Sequence, residues 1–345
     1  MDETASYEDT QTTAGSFRRF IQELHAESDL VAIDEEAPLF DNVKGRHPNG
    51  LFRVLGAPVG ASQQPGKRFI RIAKSLGLPS TASGQDIINK FREAKSCQIP
   101  PTEAPTDPGK EFKLLGDEID LTALPVPKLH ADDGGKFLQT FGMYIVQSPD
   151  NTWVNWSITR SILHGERSLV GPMIPRKNIG LIRQIGMPLP KGVNESAYIG
   201  ALIGSPIEVT KAEMNGILVP ANAEIIFEGI MAITYRKVPI LPICVTGRAP
   251  EESETVWGLT QAAEVLTISE DAGLPIKMVW NPFESHCHWF VLQVDREKLR
   301  ELNTAMEEFS MKVFHTVFAS KPGYNIPIIY LLGDDIDPTN LRDVI

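Results

Sequence analysis

One short segment, residues 155–160, combines a carboxamide, two hydroxyls and a guanidinium, from Asn155, Ser157, Thr159 and Arg160. Phosphate and carboxylate ligands need such donors, and an arginine can hold a carboxylate through two parallel hydrogen bonds. Because side chains alternate along a strand, Asn155, Ser157 and Thr159 would share one face. An exposed strand that ends in an arginine has the same pattern. The spacing alone therefore leaves both interpretations open, a polar pocket and a solvated strand.

Two other groups of polar residues are weaker candidates. His286 and His288 alternate and would form half of a zinc site on one strand face, but no third ligand lies nearby in sequence. Asp334, Asp335 and Asp337 follow an apolar run without the spacing of a calcium loop. Neither a glycine-rich phosphate loop nor a G-x-S-x-G elbow occurs in the sequence. For both groups a structural role is the favoured interpretation.

Composition narrows the class of protein. The chain has 345 residues, a hydrophobic fraction of 42% and a formal net charge of −11, so a nucleic-acid backbone or an anionic membrane surface is a poor partner. No apolar run approaches the roughly 20 residues that span a bilayer. Cys97, Cys244 and Cys287 share no metal-type spacing and indicate reduced thiols. The N-terminal residues have neither a secretory nor a transit pattern, which predicts a cytoplasmic protein.

The elements around the segment indicate a mixed α/β protein in three parts. A disordered tail is predicted for residues 1–14 and an α/β region for 15–110, which ends in a proline-rich linker. A β domain is predicted for 111–250, as an antiparallel sheet or barrel. Residues 251–345 alternate strand and helix patterns, as in an α/β layer.

Hydrophobic periodicity gives more local predictions. A short helix is predicted to start near Ser16, because apolar residues recur at helical spacing after it. Residues 137–147 and 152–159 predict two strands joined by a turn. Asp295 is predicted to cap one continuous helix that runs through Leu302 to Phe309.

Seven stretches occur in order along nearly the whole chain: GLFRVLGAP at 50–58, LPVP at 124–127, DGGK at 133–136, TFGM at 140–143, NWSI at 155–158 with Arg160, PFES at 282–285 and GDDID at 333–337. They resemble stretches of the UbiD-type decarboxylases, and among these of the fungal ferulic and cinnamic acid decarboxylases. So many matches in one order are very specific.

The resemblance implies a fold, a reaction and partners. It implies an α/β N-terminal region, a β-barrel-like flavin-binding domain and a partial α/β C-terminal domain of the kind that the family uses to form homodimers. The family reaction is the non-oxidative decarboxylation of ferulic, p-coumaric or cinnamic acid to a vinyl product and CO2. The implied cofactors are prenylated FMN and Mn²⁺, with K⁺ as a further ion, and the implied supplier of the cofactor is a flavin prenyltransferase.

The resemblance also assigns roles to individual residues. It implies cofactor contacts for Asn155, Trp156, Ser157, Ile158, Thr159, Arg160, Met187, Pro188, Glu195 and Lys321. Asn155 and Glu195 match metal ligands, and Lys321 matches a lysine that reaches the cofactor phosphate. Arg160 matches the catalytic arginine that faces the substrate carboxylate.

Some family features are missing from the chain. The family's metal-binding histidine falls at Asn178, a poorer ligand, and a segment is missing near residues 184–187. A glycine-rich loop with the family's two catalytic glutamates is missing between Gly229 and Thr234. Glu224 and Glu228 precede this gap and are expected to have structural roles. The alternative to an active decarboxylase is therefore a remnant that binds flavin or pairs with other subunits.

Overall fold

A computed structural model describes most of the chain as a mixture of helices and small sheets. It describes residues 16–27, 39–40, 53–148, 150–152, 154–171, 194–229, 231–244, 247, 249–252 and 254–345. The predicted tail, 1–14, lies outside these residues.

The α-helices are α1 (Phe17–Ala26), α2 (Ile70–Ser75), α3 (Gly84–Ser96), α4 (Glu195–Ile203), α5 (Leu259–Asp271), α6 (Arg296–Glu301), α7 (Met306–Phe318) and α8 (Leu341–Val344). The N-terminal strands are β1 (Leu39–Phe40), β2 (Arg53–Gly56), β3 (Thr102–Glu103) and β4 (Phe112–Leu115). The central strands are β5 (Phe137–Gln139), β6 (Met143–Gln147), β7 (Val154–Ile158), β8 (Ser161–Leu163), β9 (Leu169–Val170), β10 (Glu208–Lys211), β11 (Leu218–Pro220), β12 (Ile225–Glu228), β13 (Ala232–Tyr235) and β14 (Ile240–Ile243). The C-terminal strands are β15 (Ile276–Trp280), β16 (Trp289–Val294) and β17 (Ile328–Gly333).

The predicted helix at Ser16 is confirmed as α1. The Ser16 side chain accepts a hydrogen bond from the backbone N–H of Arg19, which satisfies one of the free donors at the helix start. Phe20, Ile21 and Leu24 lie on one face and are buried. On the other side, Lys74 of α2 binds the carboxylates of Glu23 and Glu27 at 3.0 and 2.7 Å. Apolar burial and ion pairs together dock α1 on the rest of the chain.

The central region contains several small sheets. Within the described residues there are five three-stranded sheets and one two-stranded sheet, and no closed barrel is found among them. The barrel-like part of the sequence prediction is therefore unconfirmed. Parallel pairs link the regions: β2 pairs with β14, and β3 pairs with β10. Residues before 110 thus complete sheets whose other strands come from the central region.

The strand predicted at 152–159 is confirmed as β7, whereas the single strand predicted at 137–147 is wrong, because two strands form there. Residues 137–147 divide into β5 and β6, and the second run continues from β7 into β8 after Thr159 and Arg160. β6 pairs with β7, whereas β5 pairs with β8, so the hairpin changes sheet at its middle. The alternating pattern of a strand says nothing about such a corner.

A tight β-hairpin, which the sequence patterns missed in part, follows α4 in the central region. β12 and β13 pair in antiparallel register from Ile225 with Tyr235 to Glu228 with Ala232. The turn closes with a 3.0 Å hydrogen bond from the backbone N–H of Met231 to the carbonyl of Glu228. β13 was not predicted as a strand. It also pairs with β4, so it is the middle strand of its sheet.

The C-terminal part is a three-stranded sheet, β15-β16-β17, with α5 and α7 packed against it. The core here includes Leu266, Phe290 and Val313. Asp295 caps α6 as predicted, by accepting from the backbone N–H groups of Glu297 and Lys298. The single helix predicted beyond it is wrong: α6 ends at Glu301, and α7 begins at Met306 after Asn303 takes a positive φ of 46°. Such a φ interrupts a right-handed helix.

No helix in the described part of the chain is long and apolar enough to span a membrane.

Candidate active site

Asn155 and Glu195, which are 40 residues apart in sequence, meet in the interior. The Asn155 side-chain Nδ2 donates to Glu195 Oε1 at 2.8 Å, and the two residues are 0% and 3% exposed. Asn155 lies in β7, and Glu195 is the first residue of α4, which packs on that strand. The structure thus brings together the two residues that the sequence predicted as metal ligands.

Helix α4 holds Glu195 in a fixed place. Asn194 caps the helix by accepting from the backbone N–H of Ala197, and the Tyr198 hydroxyl donates to the carbonyl of Phe91 in α3 at 2.9 Å. Gly200 lies so close to Ile99 that a Cβ there would be 2.5 Å from the Ile99 carbonyl oxygen. A carboxylate in the first turn of a helix is also stabilised by the helix dipole.

The same face of the strand continues with two hydroxyl groups that have no partner among the described residues. Asn155 Oδ1, Ser157 Oγ and Thr159 Oγ1 are buried and make no hydrogen bond within the described residues. Buried polar atoms are normally hydrogen-bonded, so a row of three unsatisfied oxygens indicates a place for a polar ligand. Oxygen ligands that include one carboxylate suit a hard cation, and such a cation can in turn bind the oxygens of a phosphate.

The opposite face of β7 is apolar. Trp156 is buried and Ile158 is half-buried, as the alternation predicted. Their side chains do not share the face of Asn155, so any role in cofactor binding would have to come through their backbone or from the other side of the strand.

Arg160 follows at the corner between β7 and β8. Its side chain is exposed, and its guanidinium carbon lies 5.9 Å from the centre of the half-buried Phe137 ring. A guanidinium beside an aromatic face offers charge and a flat apolar surface at once. The arrangement suits an acid that carries an aromatic ring.

Cys244 and Glu252 were missed by the sequence analysis. Burial raises the pKa of the Cys244 thiol above its usual range, and the charge of Glu252 raises it further, while Arg160 opposes the shift. The thiol is therefore neutral. Glu252 accepts from the backbone N–H of Val59 at 3.2 Å and is 4% exposed. Only the contact between the Cys244 and Glu252 side chains in the folded chain reveals these residues, since neither belongs to a recognisable motif.

Other predicted site residues are not joined to this cluster by a described contact. Lys321 is exposed and precedes the short 3₁₀ turn Pro322–Asn325. Its convergence on Asn155 stays a prediction. Met187, Pro188 and Asn178 lie outside the described residues.

The two glutamates before the missing loop have structural roles. Glu224 accepts from Arg18 Nε at 3.0 Å and from the backbone N–H of Ile240 at 2.9 Å. Glu228 accepts from the backbone N–H groups of Glu213 and Met214 at 2.7 and 2.6 Å. These contacts support the expectation that neither is a substitute acid.

The weaker candidate groups are also explained structurally. His286 lies in a turn with a φ of 50°, not on a strand, and its Nδ1 is 3.0 Å from Glu254 Oε1. Asp334 binds Lys277 and Arg296, each at 2.7 Å. In the part of the chain that the structure describes, no three His, Cys, Asp or Glu side chains form a metal-binding group.

Comparison with known families decides which class of protein this is. Models of the 3-octaprenyl-4-hydroxybenzoate carboxy-lyase family match the chain with its N-terminal domain at 21–91, its Rift-related domain at 102–185 and 180–239, and its C-terminal domain at 254–345. The chain belongs to the UbiD family of carboxy-lyases. The resemblance seen in the sequence is thereby confirmed, including the similarity to fungal ferulic acid decarboxylases.

Curated relatives of the UbiD family include two decarboxylases. Pyrrole-2-carboxylic acid decarboxylase of Pseudomonas aeruginosa is 35% identical over 409 aligned positions, which cover 96% of this chain and 82% of the relative. Ferulic acid decarboxylase 1 of Saccharomyces cerevisiae is 33% identical, with 95% and 82% covered. Since 409 aligned positions exceed the 345 residues of this chain by 64, the bacterial relative has at least that many residues without a counterpart within the aligned span.

Solved UbiD structures share the fold. An evolved dimeric form of the UbiD-class enzyme HmfF from Pelotomaculum thermopropionicum, in complex with prFMN, superposes with a TM-score of 0.77 at 19% identity, covering 96% of this chain and 88% of that one. Vanillic acid decarboxylase of Sedimentibacter hydroxybenzoicus in its closed form gives 0.79 at 17% identity, with 96% and 83% covered. The mixed α/β architecture is thus that of UbiD-class enzymes.

Proposed function

We propose that this UbiD chain is a prenylated-FMN-dependent decarboxylase of aromatic α,β-unsaturated acids, which it converts without oxidation to a vinyl compound and CO2. Ferulic, p-coumaric and cinnamic acid are the substrates we propose. The observation that carries the proposal is the buried Asn155–Glu195 pair, beside which the side-chain oxygens along β7 make no hydrogen bond within the described residues. Arg160 follows at the end of the same strand.

The chain's own residues bind and orient in this proposal. Asn155 and Glu195 would hold Mn²⁺, and Lys321 would add positive charge to the cofactor phosphate. The modified flavin, when bound, supplies the electron sink for CO2 loss. Arg160 would hold the substrate carboxylate through two hydrogen bonds, and Phe137 would offer its ring to the aromatic part of the acid. K⁺, Met187 and Pro188 complete the proposed cofactor site.

The family relationship supports this substrate class, and so does the exposed arginine. The yeast relative is named for ferulic acid and the Pseudomonas relative for pyrrole-2-carboxylic acid, and both compounds are carboxylates on a flat unsaturated system. A homodimer and a flavin prenyltransferase that supplies the cofactor are the partners we propose. The solved relative HmfF is described as dimeric in its evolved form.

The second candidate function is a binding remnant, which one observation favours. The β12–β13 hairpin closes tightly at the place where the resemblance puts the loop with two catalytic glutamates. A positioned acid typically contributes roughly 10²–10⁴ in rate, so its loss leaves binding intact and slows protonation of the product carbon by about that factor.

Coexpression with a flavin prenyltransferase tests both functions. We expect the purified chain to carry the flavin absorbance and to bind cinnamic acid, with Arg160→Ala losing the acid but keeping the flavin. Headspace detection of styrene from cinnamic acid then measures turnover. Styrene formed as fast as by an intact relative would exclude the remnant, and a chain that binds neither flavin nor acid would contradict the proposal itself.

A further inference from the structure

Arg160 occupies a corner that the fold must hold in place. The chain passes from β7, whose partner is β6, to β8, whose partner is β5, and only Thr159 and Arg160 lie between the two strands. The backbone hydrogen bonds of the two sheets therefore stop before Arg160 on one side and resume after it on the other. Other contacts have to set the angle at which the guanidinium leaves the corner.

One hydrogen bond spans this corner. The Tyr144 hydroxyl in β6 and the Ser161 Oγ in β8 are 2.6 Å apart, and either can be the donor. Ser161 is 0% exposed, so its hydroxyl has no access to water as a substitute partner. Tyr144 is opposite Ser157 in the β6–β7 ladder, which means that its phenol reaches past the strand end to the first residue of the next strand.

Two further contacts limit movement of the same corner. A Cβ on Gly171 would lie 2.9 Å from the Arg160 carbonyl oxygen and 3.1 Å from Ser161 Oγ, so the backbone at 171 fills the space behind the arginine. Phe137, in the strand that pairs with β8, supports the guanidinium from the side. The corner is thus enclosed on three sides, with the guanidinium as its exposed group.

We propose that Tyr144 is a positioning residue for Arg160, which it holds through Ser161. The inference rests on the proposed function of Arg160 as the group that binds the substrate carboxylate. Bidentate binding needs a guanidinium fixed in plane and direction, because a ligand gains affinity when its partner is ordered before binding. Losing the phenol hydroxyl leaves Ser161 Oγ buried without its partner and lets the corner relax.

The test separates carboxylate recognition from general damage to the fold. The purified wild-type chain and Tyr144→Phe are titrated by calorimetry with cinnamate and with cinnamamide, its neutral analogue of equal shape. We expect the preference for the carboxylate over the amide to fall about 3- to 10-fold in Tyr144→Phe, the effect of one hydrogen bond. The affinity for cinnamamide should stay the same, whereas a merely loosened pocket would bind both ligands less well.

Matched variants make the result specific. Ser161→Ala should reproduce the loss, and the double variant should lose no more than either single one, because both remove the same bond. Tyr330→Phe, which removes a hydroxyl from β17, should behave as wild type. If Arg160→Ala abolishes the preference while Tyr144→Phe keeps it, the positioning role is wrong. If wild type and Arg160→Ala show equal preference, the substrate role of Arg160 is wrong, and the inference falls with it.

Discussion

Glu195 is a buried acidic residue at the start of a helix. It occupies the first turn of α4, where the helix dipole favours an anion, and one of its oxygens accepts from Asn155. Asn155 therefore has a structural role before any ligand arrives, because its amide donates to one oxygen of the buried carboxylate. Ser157, two residues further along the same face, has no such role in the described structure.

This difference predicts unequal costs for two substitutions in one strand. Asn155→Ala should lower the free energy of unfolding by about 2–3 kcal/mol, because it leaves a buried carboxylate oxygen without its donor. Ser157→Ala should change it by less than about 0.5 kcal/mol, since its hydroxyl makes no hydrogen bond within the described residues. Urea unfolding followed by tryptophan fluorescence measures both. Equal losses would show that the Ser157 hydroxyl is engaged in the folded chain.

The meeting of Asn155 and Glu195 could be predicted only through family resemblance. No period or spacing relates two positions 40 residues apart on a strand and a helix, because their contact arises from how α4 packs on β7. The alternation of Asn155, Ser157 and Thr159, by contrast, follows from strand geometry and was visible in the sequence. Cys244 and Glu252 had no sequence signal at all.

At the scale of helices and strands, the predictions succeeded where a local sequence signal is enough to decide where an element begins. Helix α1 has a serine cap and three apolar residues on one face, and both features are local. The failures occur where the chain changes direction without changing its pattern. Leu299, Leu302, Met306 and Phe309 keep helical spacing across the break between α6 and α7, so periodicity could not reveal that Asn303 interrupts the helix.

The turn after α7 depends on the absence of a side chain at Gly323. A Cβ there would lie 1.9 Å from the Val317 carbonyl oxygen, closer than any contact a folded chain tolerates. Gly323→Ala should therefore destabilise the chain by about 3 kcal/mol or more and displace the turn that begins next to Lys321. Gly134→Ala is the control, because no atom lies within 4 Å of its added Cβ. Thermal unfolding of the two variants compares them, and similar melting temperatures would contradict the packing seen here.

Docking of α1 should depend on pH through Glu27 at its C-terminal end. Hydrogen bonds from Lys74, and then from Lys67 and Ser80, lower the pKa of Glu27 from 4.5 to about 2. A lowered pKa means that the ionised form stabilises the fold above pH 4.5, and that this contribution is lost as the pH falls towards 2. Unfolding free energies measured across this range should fall more steeply in wild type than in Glu27→Gln. Glu301→Gln, an exposed position, should keep the wild-type slope, and a Glu27→Gln profile parallel to wild type would refute the linkage.

On the scale of the whole molecule, strands from different predicted regions pair with each other in the same sheets. β2 belongs to the N-terminal region but pairs in parallel with β14, and β3 pairs with β10. Sequence patterns place boundaries where prolines cluster, yet pairing between distant strands is decided by the three-dimensional fold. The central β region therefore depends on N-terminal strands to complete two of its sheets, with β2 as a middle strand and β3 as an edge strand.

Because the β12–β13 turn is exposed, we expect that a loop can be inserted there without loss of the fold. Met231 is 58% exposed, and loop length adds little to the entropy of closure. Replacing residues 230–231 with the glycine-rich loop of an intact relative should shift the melting temperature by no more than about 2–4 °C, the effect of roughly 1 kcal/mol. Styrene should form roughly 10²–10⁴ times faster in the grafted chain than in the ungrafted one.

The control for this graft is the same loop with its two glutamates changed to glutamine. That chain should fold as well as the first graft and form styrene roughly 10²–10⁴ times more slowly, because only the acid has been removed. A grafted chain that folds and binds flavin but stays inactive would show that more than the loop is missing.

The closed hairpin also bears on how such a chain persists in a lineage. Selection removes variants that fail to reach a threshold of stability, and a deletion that leaves β12 and β13 paired in register does not cross it. A shortened loop at this place would therefore be removed only by selection for the reaction itself, because selection for the fold would not detect the change.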